Sequence, residues 1–235
     1  MPKNQEKRIF ITEHTLELRH APLGIFIDKK GFIADYIKEQ GLFPHWRVQE
    51  NSISFFDTDK GIKSKGAVIS FKNVVFIIHN PATTNYFQDQ AISFWKKVLK
   101  QKTYSVPKIQ RLGVRTKCYI PSELSFHEIH ELMKKQLFNE KLASVVGGNP
   151  TDIQVVLDFK EKNFSTRVVL GPLKENEGSQ YFSCKSEDFT KAGIFIDTDY
   201  YQEGEIVHEN VEDLLKKAMN LTWIRLEVIL KAIGA

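Results

Sequence analysis

The chain has 235 residues, 42% hydrophobic and 26% charged, with 17 phenylalanines and a formal net charge of +4. That apolar content supports one large domain or two small ones around an aromatic-rich core. Two cysteines, Cys118 and Cys184, exclude a disulfide framework and have no metal-ligand spacing, which points to a reducing, cytoplasmic setting.

No apolar run approaches the roughly 18 residues of a membrane span. The opening MPKNQEKRIFITEH has no apolar stretch of signal-peptide length, so no membrane contact is expected. Charge is uneven along the chain. Residues 1–105 hold 16 Lys and Arg against 10 Asp and Glu. A basic half favours nucleic acid or an acidic partner, although dedicated nucleic-acid domains concentrate their charge more strongly.

In chain order, β-like pieces fall at 8–12 and 15–27. KGFIADYIKEQG follows, with Phe32, Ile33, Tyr36 and Ile37 at helical spacing and Gly41 as the C-cap. Strands are predicted at 46–56, 66–72 and 74–79. The last two, GAVISFK and VVFIIH, are nearly continuous apolar runs joined at Lys72-Asn73, which predicts a tight hairpin buried on both faces. A helix over 83–102 closes the first half, with Phe87, Ala91, Phe94 and Val98 on one side.

The second half, 106–235, opens with a strand at 109–119. A helix over 126–146 follows. Ser125 and Glu128 form its capping box, and GGNP at 147–150 ends it. Strands are predicted at 152–160, 164–170, 180–185 and 193–198. Asn210 caps a helix running to 233. Both halves read strand, helix, several strands, helix. The expected fold is therefore α+β: pseudo-duplicated β-α-β-β-β-α halves, with antiparallel sheets and helices packed on one face. No low-complexity linker divides 1–105 from 106–235, so the halves are expected to share one compact unit.

In the strand 109–119, Leu112, Val114 and Cys118 share one face and Arg111, Gly113, Arg115 and Lys117 the other. A mid-strand glycine often marks a bulge or a close approach. This basic face is a candidate surface for a ligand or protein partner. The alternative is that the cations answer Asp158, Asp197 and Asp199 on neighbouring strands, a modestly stabilising cross-strand pattern. The C-terminal helix LTWIRLEVILKAIGA is apolar almost all round. It either threads the centre of the protein or offers Trp223, Leu226 and Ile229 to a second subunit as a homodimer.

In FWKKVLKQK, Lys96, Lys97, Lys100 and Lys102 are a nucleic-acid contact or a solvated helix back. His127, His130 and Glu131 share one side of a helix and are plausible metal ligands. The cation at Lys134 argues against metal, and the expected reading is a solvated face. Asp152, Asp158 and Lys160 sit in one short strand, which is a poor match to a metal nuclease, and Asp57, Asp59 and Lys60 lack an obvious partner. The chain contains no GxxxxGK[ST], GxGxxG, GxSxG or CxxC. No catalytic residue and no cofactor is expected.

The segment IQRLGVRTKCYIP and the strand FIDTDYY before the long helix resemble a sporadically distributed prokaryotic family with a Leu-Gly-x-Arg central strand. Leu112, Gly113, Val114 and Arg115 match, and Thr116 stands where that family has an aromatic. The resemblance covers most of residues 70–235 and implies an accessory role in a multi-subunit complex, in the setting of genome or antiviral defence. A non-enzymatic interaction subunit is the leading expectation. A nucleic-acid-binding protein and a metal-dependent enzyme are the alternatives.

Overall fold

The structure is a computed structural model that describes residues 10–58, 64–139, 148, 150–161 and 163–234. Its centre is one antiparallel sheet of nine strands: β1 (Ile11–His20), β2 (His45–Val48), β3 (Ser52–Phe56), β4 (Lys65–Ser70), β5 (Asn73–His79), β6 (Ile109–Pro121), β7 (Val155–Lys160), β8 (Ser165–Leu173) and β9 (Gly193–Ile206). They lie in the order β2-β3-β4-β5-β1-β6-β9-β8-β7. The fold is α+β. Both halves contribute to a single sheet, because β1 pairs with β6 from Ile11↔Tyr119 to Leu18↔Leu112. On its far side β6 pairs with β9.

The period-two alternation of strands gives this sheet two distinct faces. On β1, His14, Leu16 and Leu18 are buried, while Thr15 and Glu17 are half-buried and Arg19 is exposed. The first face carries the core in two clusters. One joins α1 (Ile25–Glu39) through Phe26, Ile33 and Ile37, and α2 (Thr84–Lys100) through Phe87, Phe94 and Val98, to strands β1 and β3–β6. The other joins α3 (Phe126–Leu137) through Ile129 and Met133 to Val168, Leu170, Ile194 and Ile196.

The C-terminal helix, Val211–Ile233, serves both clusters. Its Leu214, Leu215 and Met219 enter the first, and its Leu226, Leu230 and Ile233 enter the second. That explains its apolar circumference: the helix is buried on more than one side along its length. No helix among the described residues is long and apolar enough to cross a membrane.

Several element boundaries differ from expectation. The run 15–27 does not continue as a strand. β1 ends at His20 and α1 begins at Ile25, because Phe26 packs edge-on against Tyr104 (5.7 Å) in the first cluster. The stretch 46–56 is two strands, turned back where Gln49 N donates to Ser52 O (2.8 Å). The β4–β5 hairpin forms, but it is not buried on both faces: Val68, Val75 and Ile77 remain half-buried.

Helix α3 stops at Leu137. Residues 140–147 and 149, on which its expected end falls, lie outside the described residues, as do 8 and 9. Residues 180–185 form no strand. A helical turn at Gly178–Tyr181 leads into irregular chain. The alternating burial of Phe182 and Cys184 comes from packing, not from a ladder. Asn210 occupies the N-cap position without a side-chain cap bond, whereas Ser125 and Glu128 form the full capping box.

A charge lattice and a strapped cleft as candidate functional site

The second face brings together Arg111, Gly113, Arg115 and Lys117 of β6 with the acidic residues of β1 and β9. Arg111 bridges two strands, donating to Glu17 Oε2 (3.2 Å) and Asp199 Oδ2 (3.0 Å). Arg115 grips Asp197 with two nitrogens, at 2.9 and 2.5 Å. Lys117 Nζ donates to Glu13 Oε1 (2.7 Å) and to the carbonyl of Tyr181 (2.8 Å). Arg19 also reaches Glu17 (2.8 Å).

The mid-strand glycine has a geometric reason. A Cβ on Gly113 would lie 2.6 Å from Arg111 Nη1. The bare backbone therefore lets the guanidinium fold over it, where it also stacks on Tyr201 (4.7 Å). Asp158, two strands further out, answers a different cation, Arg167 (3.7 Å).

Burial tunes these groups. It works to raise the Glu13 carboxyl, but Lys117, the Ser183 amide and His79 outweigh it and hold the group below the usual carboxylate range. Burial raises Asp199 despite the pull of Arg111 and Arg115. Asp197 holds Arg115 above the ordinary guanidinium value. His79 stands beside Glu13, its Nδ1 3.4 Å from Oε2 but without a hydrogen-bond partner, and burial pushes its pKa down.

Part of the second face is roofed. Residues 174–192 form a strap whose Phe182, Cys184 and Phe189 pack on Ile11, Tyr119 and Phe195. Polar ties fix it: Ser183 N donates to Glu13 Oε2 (3.0 Å), and Tyr119 Oη donates to the Lys191 carbonyl (2.6 Å). Between the strap and β3–β5 lies a cleft of about 520 Å³, with Phe56, Val68 and Ile77 along the sheet side and His79, Ser183 and Lys185 at the strap side. The sequence reading missed this site. Its one visible sign was the apolar character of both faces of GAVISFK and VVFIIH.

The other candidate residues fall elsewhere. Leu226 is 2% exposed and belongs to the core, so it is not a partner surface. Trp223 packs against both clusters and Ile229 against the second. The exposed apolar positions of that helix are Ile224 and Val228. On α2, Lys96 pairs with Glu212 (2.8 Å) and Lys97 donates to the Gln40 carbonyl (2.8 Å), while Lys100 and, just beyond the helix, Lys102 stay exposed.

His127, His130 and Glu131 do converge, their ligand atoms within 4.8 Å of one another. The solvated-face reading fails for His130, which is 2% exposed and stacks on Phe126. Glu131 is shared between His130 Nδ1 (3.2 Å) and Lys134 (3.4 Å). Asp152 accepts from the Ile153 amide, and Lys160 is exposed on edge strand β7. Asp57 accepts from the amides of Ser64 and Lys65, and Asp59 and Lys60 lie outside the described residues. Both cysteines are free and buried. Burial pushes the Cys118 thiol up to about 12 and raises Cys184 as well, which keeps both protonated at neutral pH.

No family model matches the chain, and no curated protein matches it either.

Proposed function

We propose that the chain is a non-enzymatic interaction module, an accessory subunit that engages a protein partner through the second face of its sheet. The reading rests chiefly on the charge lattice. Arg111, Arg115 and Lys117 are each held by a carboxylate, so this face offers fixed, mutually neutralised charges. Such a surface suits a partner presenting both signs. It suits a phosphate backbone poorly, since binding there depends on free cations that displace condensed counterions. Two of the four α2-region lysines are likewise committed within the fold.

The same reading takes the halves as copies of one unit. β1 and β6, the first described strand of each, meet at the sheet centre, and among the described residues the long helices back one face and leave the unroofed part of the other for recognition. The resemblance of the Leu112-Gly113-Val114-Arg115 strand to a defence-associated prokaryotic family adds the setting, a multi-subunit complex in the cytoplasm.

Val75→Lys tests this. Val75 lines the shallow hollow over the lattice and lies directly opposite Glu17, so a lysine there is tolerated by the fold while blocking the face. The tagged chain is purified gently from its host and its companions are identified by mass spectrometry and absorbance ratio. The expected result is a stoichiometric protein retained by the wild type and lost by Val75→Lys at an unchanged melting temperature. Nucleic acid retained more strongly by Val75→Lys and released by salt would overturn the proposal, as would a chain that elutes alone.

A further inference from the structure

We propose that the cleft under the strap binds a small amphipathic anion, an apolar body with one carboxylate. The inference does not rest on the partner-binding reading. A volume of about 520 Å³ lies within the range of small-molecule sites, which combine mostly apolar walls with a few placed polar groups. Here the division is spatial. Phe56, Val68 and Ile77 supply apolar wall from the second face of β3–β5, and the polar groups gather toward the strap.

Charge sets the sign of the ligand. Lys185 is exposed at the cleft. The nearby Glu13 carboxylate is neutralised by Lys117 at 2.7 Å, which leaves Lys185 as the uncompensated charge at that end among the groups lining the site. His79 adds an independent sign. It is 9% exposed, it lines the cleft, and its Nδ1, 3.4 Å from Glu13 Oε2, makes no hydrogen bond. A buried polar atom without a partner is costly unless something completes it. The apolar second-face residues also find their purpose. Val68 and Ile77, which solvent alone would not favour, form a wall for an apolar body.

The site is built to stay open. The strap is anchored by its own cluster of Phe182, Cys184 and Phe189 and by the Ser183–Glu13 and Lys117–Tyr181 bonds. The segment that carries Lys185 is thereby fixed beside the cleft.

Calorimetric titration of the full chain with octanoate, and with octanamide as its uncharged counterpart, tests the assignment. Octanoate is expected to bind about two- to fivefold more tightly than octanamide, because an ionic contact with an exposed lysine is worth about that much. Lys185→Glu, a surface substitution, is expected to abolish that preference while leaving octanamide unchanged. Val68→Trp, which fills the apolar side, is expected to abolish both. Absence of octanoate binding overturns the proposal. So does equal affinity for the two compounds, or octanoate binding that survives both substitutions. Thermal melts of each variant confirm that loss of binding is not loss of fold.

Discussion

Replacing Gly113 with alanine tests the geometry of the charge lattice. The added methyl lands 2.6 Å from Arg111 Nη1 and 3.2 Å from its Cζ. The obstacle is the end of a flexible side chain, so the clash itself is relieved cheaply by swinging the guanidinium away. What is lost is the bridge: the bonds to Glu17 and Asp199 and the stack on Tyr201. Hydrogen bonds to charged groups contribute about 1.5–3 kcal/mol when buried. Arg111 is 16% exposed and its partners 21% and 29%, so solvent screening brings the pair of bonds to about 1–3 kcal/mol together. For a chain of this size that lowers the melting temperature by about 2–12 °C.

The decisive assay is a double-mutant cycle read by denaturant unfolding. In an Arg111→Met background the bridge is already gone, and Gly113→Ala should cost nothing or stabilise by about 0.5–1 kcal/mol, as expected when a strand glycine is replaced. An equal cost of Gly113→Ala in both backgrounds would refute the argument that the glycine exists to seat the arginine.

Gly193→Ala should behave differently. Its methyl would meet the Ile120 carbonyl at 2.5 Å and the Tyr119 ring at 2.6 Å, and neither can yield easily, so a loss of about 1–3 kcal/mol is expected in chemical unfolding. Leu226→Ala should lose about 2–5 kcal/mol, while Ile224→Ser on the same helix stays within about 0.5 kcal/mol. Equal effects at the two positions would contradict the assigned face. His14 gives a pH signature. Burial lowers its pKa to about 4, so the unfolded chain binds the extra proton between pH 6.5 and 4, and stability falls as pH drops through that interval. His14→Gln should flatten this slope of the denaturant midpoint against pH, and an unchanged slope would remove His14 as its source.

Much of this was legible because it depends on period and sign alone. The partition of β6 into Leu112, Val114 and Cys118 against Arg111, Arg115 and Lys117 follows from strand alternation. The neutralising role of Asp197 and Asp199 was written in the alternating acids of FIDTDYY. Helix ends were readable where side chains make the cap, as at Ser125. They were not where packing decides, as at Ile25, because GIFI satisfies strand and helix patterns equally and only the meeting of Phe26 with Tyr104 chooses between them. His130 was misplaced for a related reason. A histidine at helical spacing beside Glu131 reads as surface, yet that turn of α3 faces the sheet. The strap was illegible because YFSCKS alternates like a strand while its anchors, Ile11, Tyr119 and Phe195, lie far away in sequence.

Glu13 is where these elements join. Its carboxylate receives Lys117 from the lattice and the Ser183 amide from the strap, and it stands 3.4 Å from His79 at the cleft. A buried acid with three such neighbours cannot be removed without depriving Lys117 of its carboxylate and leaving the Ser183 amide unmatched, which typically costs about 3–5 kcal/mol. Substitution at Glu13 would therefore loosen strap, lattice and cleft together and report on none of them separately. Lys185 lines the cleft and Val75 lines the hollow over the lattice, with Val75 paired across the sheet to the cleft residue Val68. Partner binding lost in Val75→Lys with octanoate binding intact, and the reverse in Lys185→Glu, would establish two independent sites on one face of the sheet. Joint loss in both variants would mean that the two surfaces are a single site organised around Glu13.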